Sequence, residues 1–191
     1  MIAADLRRFG ALVIAPIVAV LAACTPAASE PAPTPTPSPS PSQTPFAEKN
    51  AAAIEAYKRY EEMLVDTATS GGYGPDDDVP ESVLATTMGE ERELVNKDNH
   101  RLKRDGERGV GNVRVGRIRL ERSNPVPGAP GGHEVRLVSC RDFTRFKWTS
   151  AEGDRAVPET FQDVYTRLSF DETAPVGWKV VQMRSRQSNS C

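Results

Sequence analysis

The chain has 191 residues, with 24 Lys and Arg against 26 Asp and Glu, and a formal net charge of -2. That length allows one domain of ordinary size plus appendages, and the near-neutral balance speaks against a nucleic-acid partner, which requires a basic surplus. Eight of the 16 prolines fall between residues 26 and 45, so the proline excess is local.

The first 24 residues have three parts. Arg7 and Arg8 form a positive start, Ala11 to Ala23 is an apolar run, and Leu21-Ala22-Ala23-Cys24 closes it with small residues and a cysteine. This is the layout of a secretory signal peptide. The run is shorter than the roughly 20 residues a membrane-spanning helix needs, and Pro16 would disturb a permanent span. The Leu-Ala-Ala-Cys ending resembles the bacterial lipobox. The resemblance implies a signal peptide over 1–23, cleavage between Ala23 and Cys24, and diacylglyceryl and palmitate-type acylation at Cys24. The alternative is a plain secretory peptide with an accidental cysteine at the cut. Arg7-Arg8-Phe9 invites a twin-arginine reading. Leu6, however, stands where Ser or Thr is usual, so general secretion is expected. The expected location is the extracytoplasmic face of the cell membrane, with the membrane a partner through lipid on Cys24.

Residues 24–45 are the lipidated cysteine and a tether, TPAASEPAPTPTPSPSPSQTP after Cys24. Pro alternating with Thr, Ser or Ala supports neither a helix nor a core. It favours polyproline II at about 3.1 Å per residue, a semi-rigid stalk reaching roughly 65 Å when extended.

Residues 46–191 are the one candidate folded domain. Ala47 to Thr67 lacks Pro and Gly, and Ile54, Tyr57, Glu61 and Leu64 step by three or four, with Tyr60 and Met63 beside them, so an amphipathic helix is predicted. Ser70 to Pro75 breaks the chain. Asp76 to Asp78 are expected to cap a second helix with Pro80 in its first turn and Val83, Leu84 and Met88 on its apolar side. A third helix is predicted over Glu90–Arg104, with Leu94, Val95 and Leu102 inward and Gly106 as its stop. The period then becomes alternating. Val113 and Val115 are in one phase and Ile118 and Leu120 in the other, a slip across Gly116 that reads as a β-bulge. Asn124 to Gly132 is a Pro/Gly loop. Further strands are expected from Val135 past Cys140 to Trp148, over Thr160–Phe170, and from Trp178 through Met183, with turns at Glu152–Asp154 and Asp171–Gly177.

Helices followed by about four long antiparallel strands is an α+β layout. The opening AAIEAYKRYEEML helix, Cys140-Arg141-Asp142 on a middle strand, Gly177-Trp178 at the start of the last strand and Cys191 at the end carry a resemblance. The domain resembles exported lipoproteins of high-GC Gram-positive bacteria with a nuclear transport factor two-like domain, a cystatin-like α+β roll. The resemblance implies a curved, cone-like sheet wrapped on the N-terminal helices, and covers most of residues 50–191. The chain departs from it in showing no strand pair between the second and third helices. With Cys24 lipidated, Cys140 and Cys191 remain, and export places them in an oxidising compartment. A Cys140–Cys191 disulfide is expected. A reactive thiol or a metal pair are the alternatives, although Cys140 has no CxxC partner and no histidine near it in sequence.

No catalytic constellation stands out. His100 and His133 have neither zinc-site spacing nor a visible nucleophile partner and read as solvated polar residues. No GxSxG, P-loop or dinucleotide fingerprint occurs, and neither cofactor nor metal is expected. Asp142 and Tyr165 are the weak candidates for a general acid or base within a cone. Arg114, Arg117, Arg119 and Arg122 read as a solvated outer face, and Asp76–Asp78 lack calcium-loop spacing. The expected function is non-catalytic: a surface lipoprotein binding an unknown protein or small molecule. A small enzyme using the cone pocket, and an accessory subunit of an envelope complex, are the alternatives.

Overall fold

The computed structural model describes residues 44–125 and 133–191. The signal peptide, the Ala23–Cys24 junction, the tether as far as residue 43 and residues 126–132 of the Pro/Gly loop lie outside the described residues.

Helix α1 runs Thr44–Ser70, starting two residues inside the predicted tether. Its inward side is Ala53, Ala56, Tyr57, Tyr60 and Met63, all buried. Gly71 and Gly72 stop it in left-handed backbone, and the Gly72 N–H donates back to Thr67 O at 2.8 Å. Helix α2 is Glu81–Thr86 and α3 is Gly89–Asp105. Gly106, left-handed at φ 62°, caps α3 as its position predicts. The Asp76–Asp78 run does not cap α2. Pro80 occupies that position with no side-chain cap, and Asp77 Oδ2 instead accepts the Gly74 N–H at 2.6 Å, closing the loop on itself. The joint between α2 and α3 is tied to the sheet by the Met88 N–H, which donates to Val180 O.

Six antiparallel strands follow: β1 Arg108–Val115, β2 Arg119–Pro125, β3 His133–Ser150, β4 Gly153–Ala156, β5 Phe161–Asp171 and β6 Gly177–Ser188. Strand β3, 18 residues long, organises the sheet. Its C-terminal half pairs with β1, its N-terminal half with β2, and β5 lies on its other side with β6 beyond. The class is α+β, as the sequence indicates, but with six strands rather than about four. The stretch expected as one bulged strand is two strands separated at Gly116–Ile118, where the Gly116 N–H donates to Cys140 O at 2.7 Å. The other addition, β4, is four residues long. Among the described residues no strand lies between α2 and α3.

The core joins α1 to the inner sheet face through Tyr57, Tyr60, Val135, Leu137, Leu168, Trp178 and Val180. Three burial expectations fail. Leu94 and Leu120 are exposed, at 45% and 43%. Leu94 stands at the rim of a cavity, and Leu120 lies beside the register irregularity between Leu120 and Arg122. His133 is buried, not solvated: its Nε2 is 2.9 Å from Ser123 Oγ and its ring meets Trp178 edge-on. Burial also lowers its pKa. His100 is half-buried, edge-on to Tyr73.

The polar stretch after Met183 is held by a strand ladder as well as by the disulfide at its end. It continues β6 to Ser188, each residue in register with β5. Only Asn189, Ser190 and Cys191 extend beyond the strand.

Candidate functional site

Alternation along β3 turns Val135, Leu137, Ser139 and Arg141 toward the helices. The last of these is charged. Arg141 is 7% exposed and meets Glu61 of α1 in a two-pronged ion pair, Nε to Oε2 at 2.7 Å and Nη2 to Oε1 at 2.8 Å. Burial opposes the Arg141 charge, but the facing Glu61 carboxylate overrides it and raises the guanidinium pKa. Around the pair sit two tyrosines from the same face of α1. Tyr57 shares a hydrogen bond of 2.6 Å with Ser139, and Tyr60 donates to Glu91 of α3 at 2.5 Å. Both phenols have raised pKa values, from burial first and then from the neighbouring carboxylates. Glu91 also accepts the Met183 N–H at 2.8 Å, and desolvation raises its pKa against these hydrogen bonds. Each of these side chains thus has a polar partner, which a low-dielectric interior favours.

Tyr60, Glu61, Glu91 and Arg141 of this cluster form the floor of a cavity of ≈ 320 Å³ between α1, α3 and the sheet. Its walls are apolar: Leu64 and Ala68 of α1, Val95 and Leu102 of α3, Val113 of β1, and Phe143, Phe146 and Trp148 of β3. Phe146 stands edge-on to both Phe143 and Trp148, at 6.0 and 5.2 Å between ring centres. Leu94 and Asp98, both exposed, mark the opening. An adjoining hollow bordered by Lys58, Glu62 and Asp66 shares Glu61, Val65 and Val113 with it. The combination of apolar walls, a few fixed polar groups and a volume of a few hundred Å³ is that of a small-molecule site.

The residues singled out in the sequence lie elsewhere. Asp142 is on the opposite face of β3 from Arg141, where its carboxyl accepts the Thr144 N–H at 2.8 Å. The hydrogen bonds from Thr144 lower its pKa. Tyr165 is on the outer sheet face, opposite Arg184 and beneath the Arg186 guanidinium at 5.3 Å from its ring centre. The structure does not bring Asp142 or Tyr165 to the cavity. Arg114, Arg117, Arg119 and Arg122 are exposed, as expected of an outer face. Cys140 and Cys191 are joined in a disulfide with α-carbons 5.6 Å apart. Cys24 and Ala23 lie outside the described residues. Among the described residues no three His, Cys, Asp or Glu side chains gather to hold a metal, and no helix is long and apolar enough to cross a membrane.

Sequence reasoning placed Glu61 on the buried stripe of α1 without a role and passed over Arg141. The signal was present: Arg141 has the inward parity of Val135 and Leu137, and a Glu among Tyr57, Tyr60 and Leu64 needs a cation to be buried.

No family model matches the chain, and no curated protein matches it. Among solved structures, the chain is similar to the crystal structure of the intermembrane-space region of the chloroplast protein ARC6, at 9% identity over 72% of this chain and 96% of that one, with a TM-score of 0.49. It is also similar to the solution structure of a de novo designed β-sheet protein, at 12% identity over 72% of this chain and 91% of that one, with a TM-score of 0.33.

Proposed function

We propose that this protein is a lipid-anchored lipoprotein of the bacterial cell surface whose cone-like, nuclear transport factor two-like domain binds a small apolar ligand without transforming it. The anchor rests on Leu21-Ala22-Ala23-Cys24 at the end of a signal-like run, and the stalk on the proline alternation that follows. The observation that carries the binding reading is the ≈ 320 Å³ cavity, with its aromatic and aliphatic walls and the Glu61–Arg141 pair at its floor. Apolar walls supply affinity by losing contact with water, and the two-pronged Glu61–Arg141 pair holds the floor in place.

The enzyme alternative draws no support from Asp142 and Tyr165, which are on the sheet face away from the cavity. An accessory subunit would be expected to offer a broad apolar surface. The large hydrophobic side chains exposed among the described residues are Leu94, Val110, Leu120 and Val176, which come from separate elements.

Two measurements test the proposal. Cys24→Ala in the producing cell is expected to leave the protein unprocessed or to move it out of the detergent phase, and partition unchanged from the parent would refute the anchor. Val65→Trp, which adds bulk where the cavity and the adjoining hollow meet, is expected to abolish binding of a naphthalene-sized apolar probe with little change in melting temperature. Equal probe binding by this variant and the parent would refute the cavity as the site.

A further inference from the structure

The floor of the cavity holds a hydrogen-bond donor that the protein itself does not use. Arg141 is 7% exposed and lines the cavity from the inner face of β3. A guanidinium carries N–H donors on each of its nitrogens. Glu61 takes Nε at 2.7 Å and Nη2 at 2.8 Å. The remaining nitrogen, Nη1, has no hydrogen-bond partner among the described residues, and it is not sealed from solvent. Other donors along the cavity are committed. Tyr60 gives its hydroxyl to Glu91, Thr67 gives its hydroxyl to Met63 O at 2.9 Å, and Asn99 gives Nδ2 to Val95 O at 2.8 Å. Arg141 Nη1 is thus an open donor at the base of a space whose walls are apolar.

From this we infer that the cavity selects ligands with an apolar, ring-sized body and a carbonyl oxygen, as in a ketone, ester or amide, and that this oxygen accepts from Arg141 Nη1. The inference rests on the reading of the cavity as the binding site and adds the ligand class to it. A hydrocarbon filling the same space takes water away from Nη1 and returns nothing, so the donor is left with its full desolvation cost. A carbonyl replaces that water with a charge-assisted hydrogen bond. A site built around such a group discriminates against the analogue that lacks the matching atom more strongly than an apolar wall discriminates by size. Glu61 already balances the Arg141 charge, so Nη1 calls for an acceptor and a neutral oxygen suffices. The body follows from the walls. Phe143 lines the cavity two residues beyond Arg141 on β3, roughly 7 Å along the strand, and Phe146 stands edge-on to it. A ring against this wall can present an oxygen to Nη1 through a short substituent. The volume, roughly that of ten waters in the liquid, suits a naphthalene-sized body.

The test uses the full chain and two probes of nearly one shape, 1-acetylnaphthalene and 1-isopropylnaphthalene, the second having a methyl group where the first has its oxygen. Affinities are read by equilibrium dialysis on the parent and on Glu61→Leu combined with Arg141→Met, which removes the donor and its partner together. The two probes differ in their transfer from water, so the quantity compared is the ratio of their affinities. The ratio of ketone to hydrocarbon is expected to fall at least about tenfold in the double variant, the scale of a hydrogen bond to a charged group, with the hydrocarbon still bound. The carbonyl stretch of the ketone on the parent protein gives a reading that needs no variant. Bound to Nη1, it is expected at lower wavenumber than in hexane. A folded double variant with the parent's ratio, or a bound carbonyl stretch at its hexane position, overturns the role of Arg141 while leaving the cavity as the binding site. Failure of both probes to bind the folded parent, or equal binding by Val65→Trp, overturns the cavity reading and the inference together.

Discussion

Arg141 and Glu61 are charged side chains buried against each other, and each is tolerable only because of the other. Removing one partner strands the other charge, so Glu61→Gln is expected to destabilise the fold by about 3–5 kcal/mol, measured by urea unfolding. Glu61→Leu combined with Arg141→Met, which removes both charges, should recover most of that loss. A double variant as unstable as the single one would mean that the pair is not the source of the effect. Lys179 and Asp171 form a second buried pair at 2.9 Å, where Asp171 also accepts the Thr173 N–H and hydroxyl. Desolvation works against the Asp171 carboxylate, but these hydrogen bonds prevail and hold its pKa down at about 2. A depressed carboxylate stabilises above its unfolded pKa of roughly 3.9 and loses that contribution as pH falls through the folded value. The stability gap between the parent and Asp171→Asn is therefore expected to be full at pH 7 and to narrow between about pH 4 and pH 2, as read from melting temperatures. Glu91 has the opposite sign. Its raised pKa makes its burial more costly as pH climbs above the unfolded value of roughly 4.3, since the folded state then has to hold a charge it resists.

At the level of elements, the α1–α2 turn abuts the helix that walls the cavity, and the disulfide ties the end of the chain to β3 on the other sheet face. Gly72 has φ +71°, and a Cβ there would lie 2.3 Å from the Asn99 backbone oxygen. This is the point where the chain leaving α1 presses on α3. Gly106 has a similar φ of +62° with nothing within 4 Å of a Cβ. Gly72→Ala is therefore expected to cost clearly more than Gly106→Ala, which carries only the left-handed penalty of roughly 1–2 kcal/mol. Thermal unfolding of the two variants side by side checks this, and equal costs would contradict the close contact. The disulfide is placed by the sheet. Cys140 of β3 lies opposite Asp163 of β5, which lies opposite Arg186 of β6, so the last residues cross β5 to reach β3. Cys140→Ser with Cys191→Ser removes a link across 51 residues. The expected loss is up to about 4 kcal/mol by loop-closure entropy. Because β6 is hydrogen-bonded to β5 as far as Ser188, the strand itself should persist, visible as unchanged amide protection over 184–187 while overall stability falls. Loss of protection there would show that the bridge, not the strand ladder, orders the end of the chain.

For the molecule as a whole, the α+β class was readable before any coordinates, because it rests on local period. The helical spacing of Tyr57, Glu61 and Leu64, the Gly106 stop and the alternation of β3, β5 and β6 are short-range patterns, and a chain with those patterns has few alternatives. With Cys24 set aside for lipid, as the lipobox resemblance implies, the cysteine count leaves Cys140 and Cys191, the pair that is bonded in the structure. What failed in the sequence reading depended on neighbours distant in the chain. Whether residues 108–125 form one strand or two was decided by β3, which pairs one segment along each half. His133 is buried because Ser123 and Trp178 close over it, and Leu94 is exposed because α3 stands at a cavity's edge. The candidate site is the clearest case. Glu61 and Arg141 are 80 residues apart, and neither their pairing nor the cavity above them has a local signature. Sequence determines which side of its own helix or strand a residue occupies. Only packing determines which two sides meet, and a buried charge pair exists only where they do.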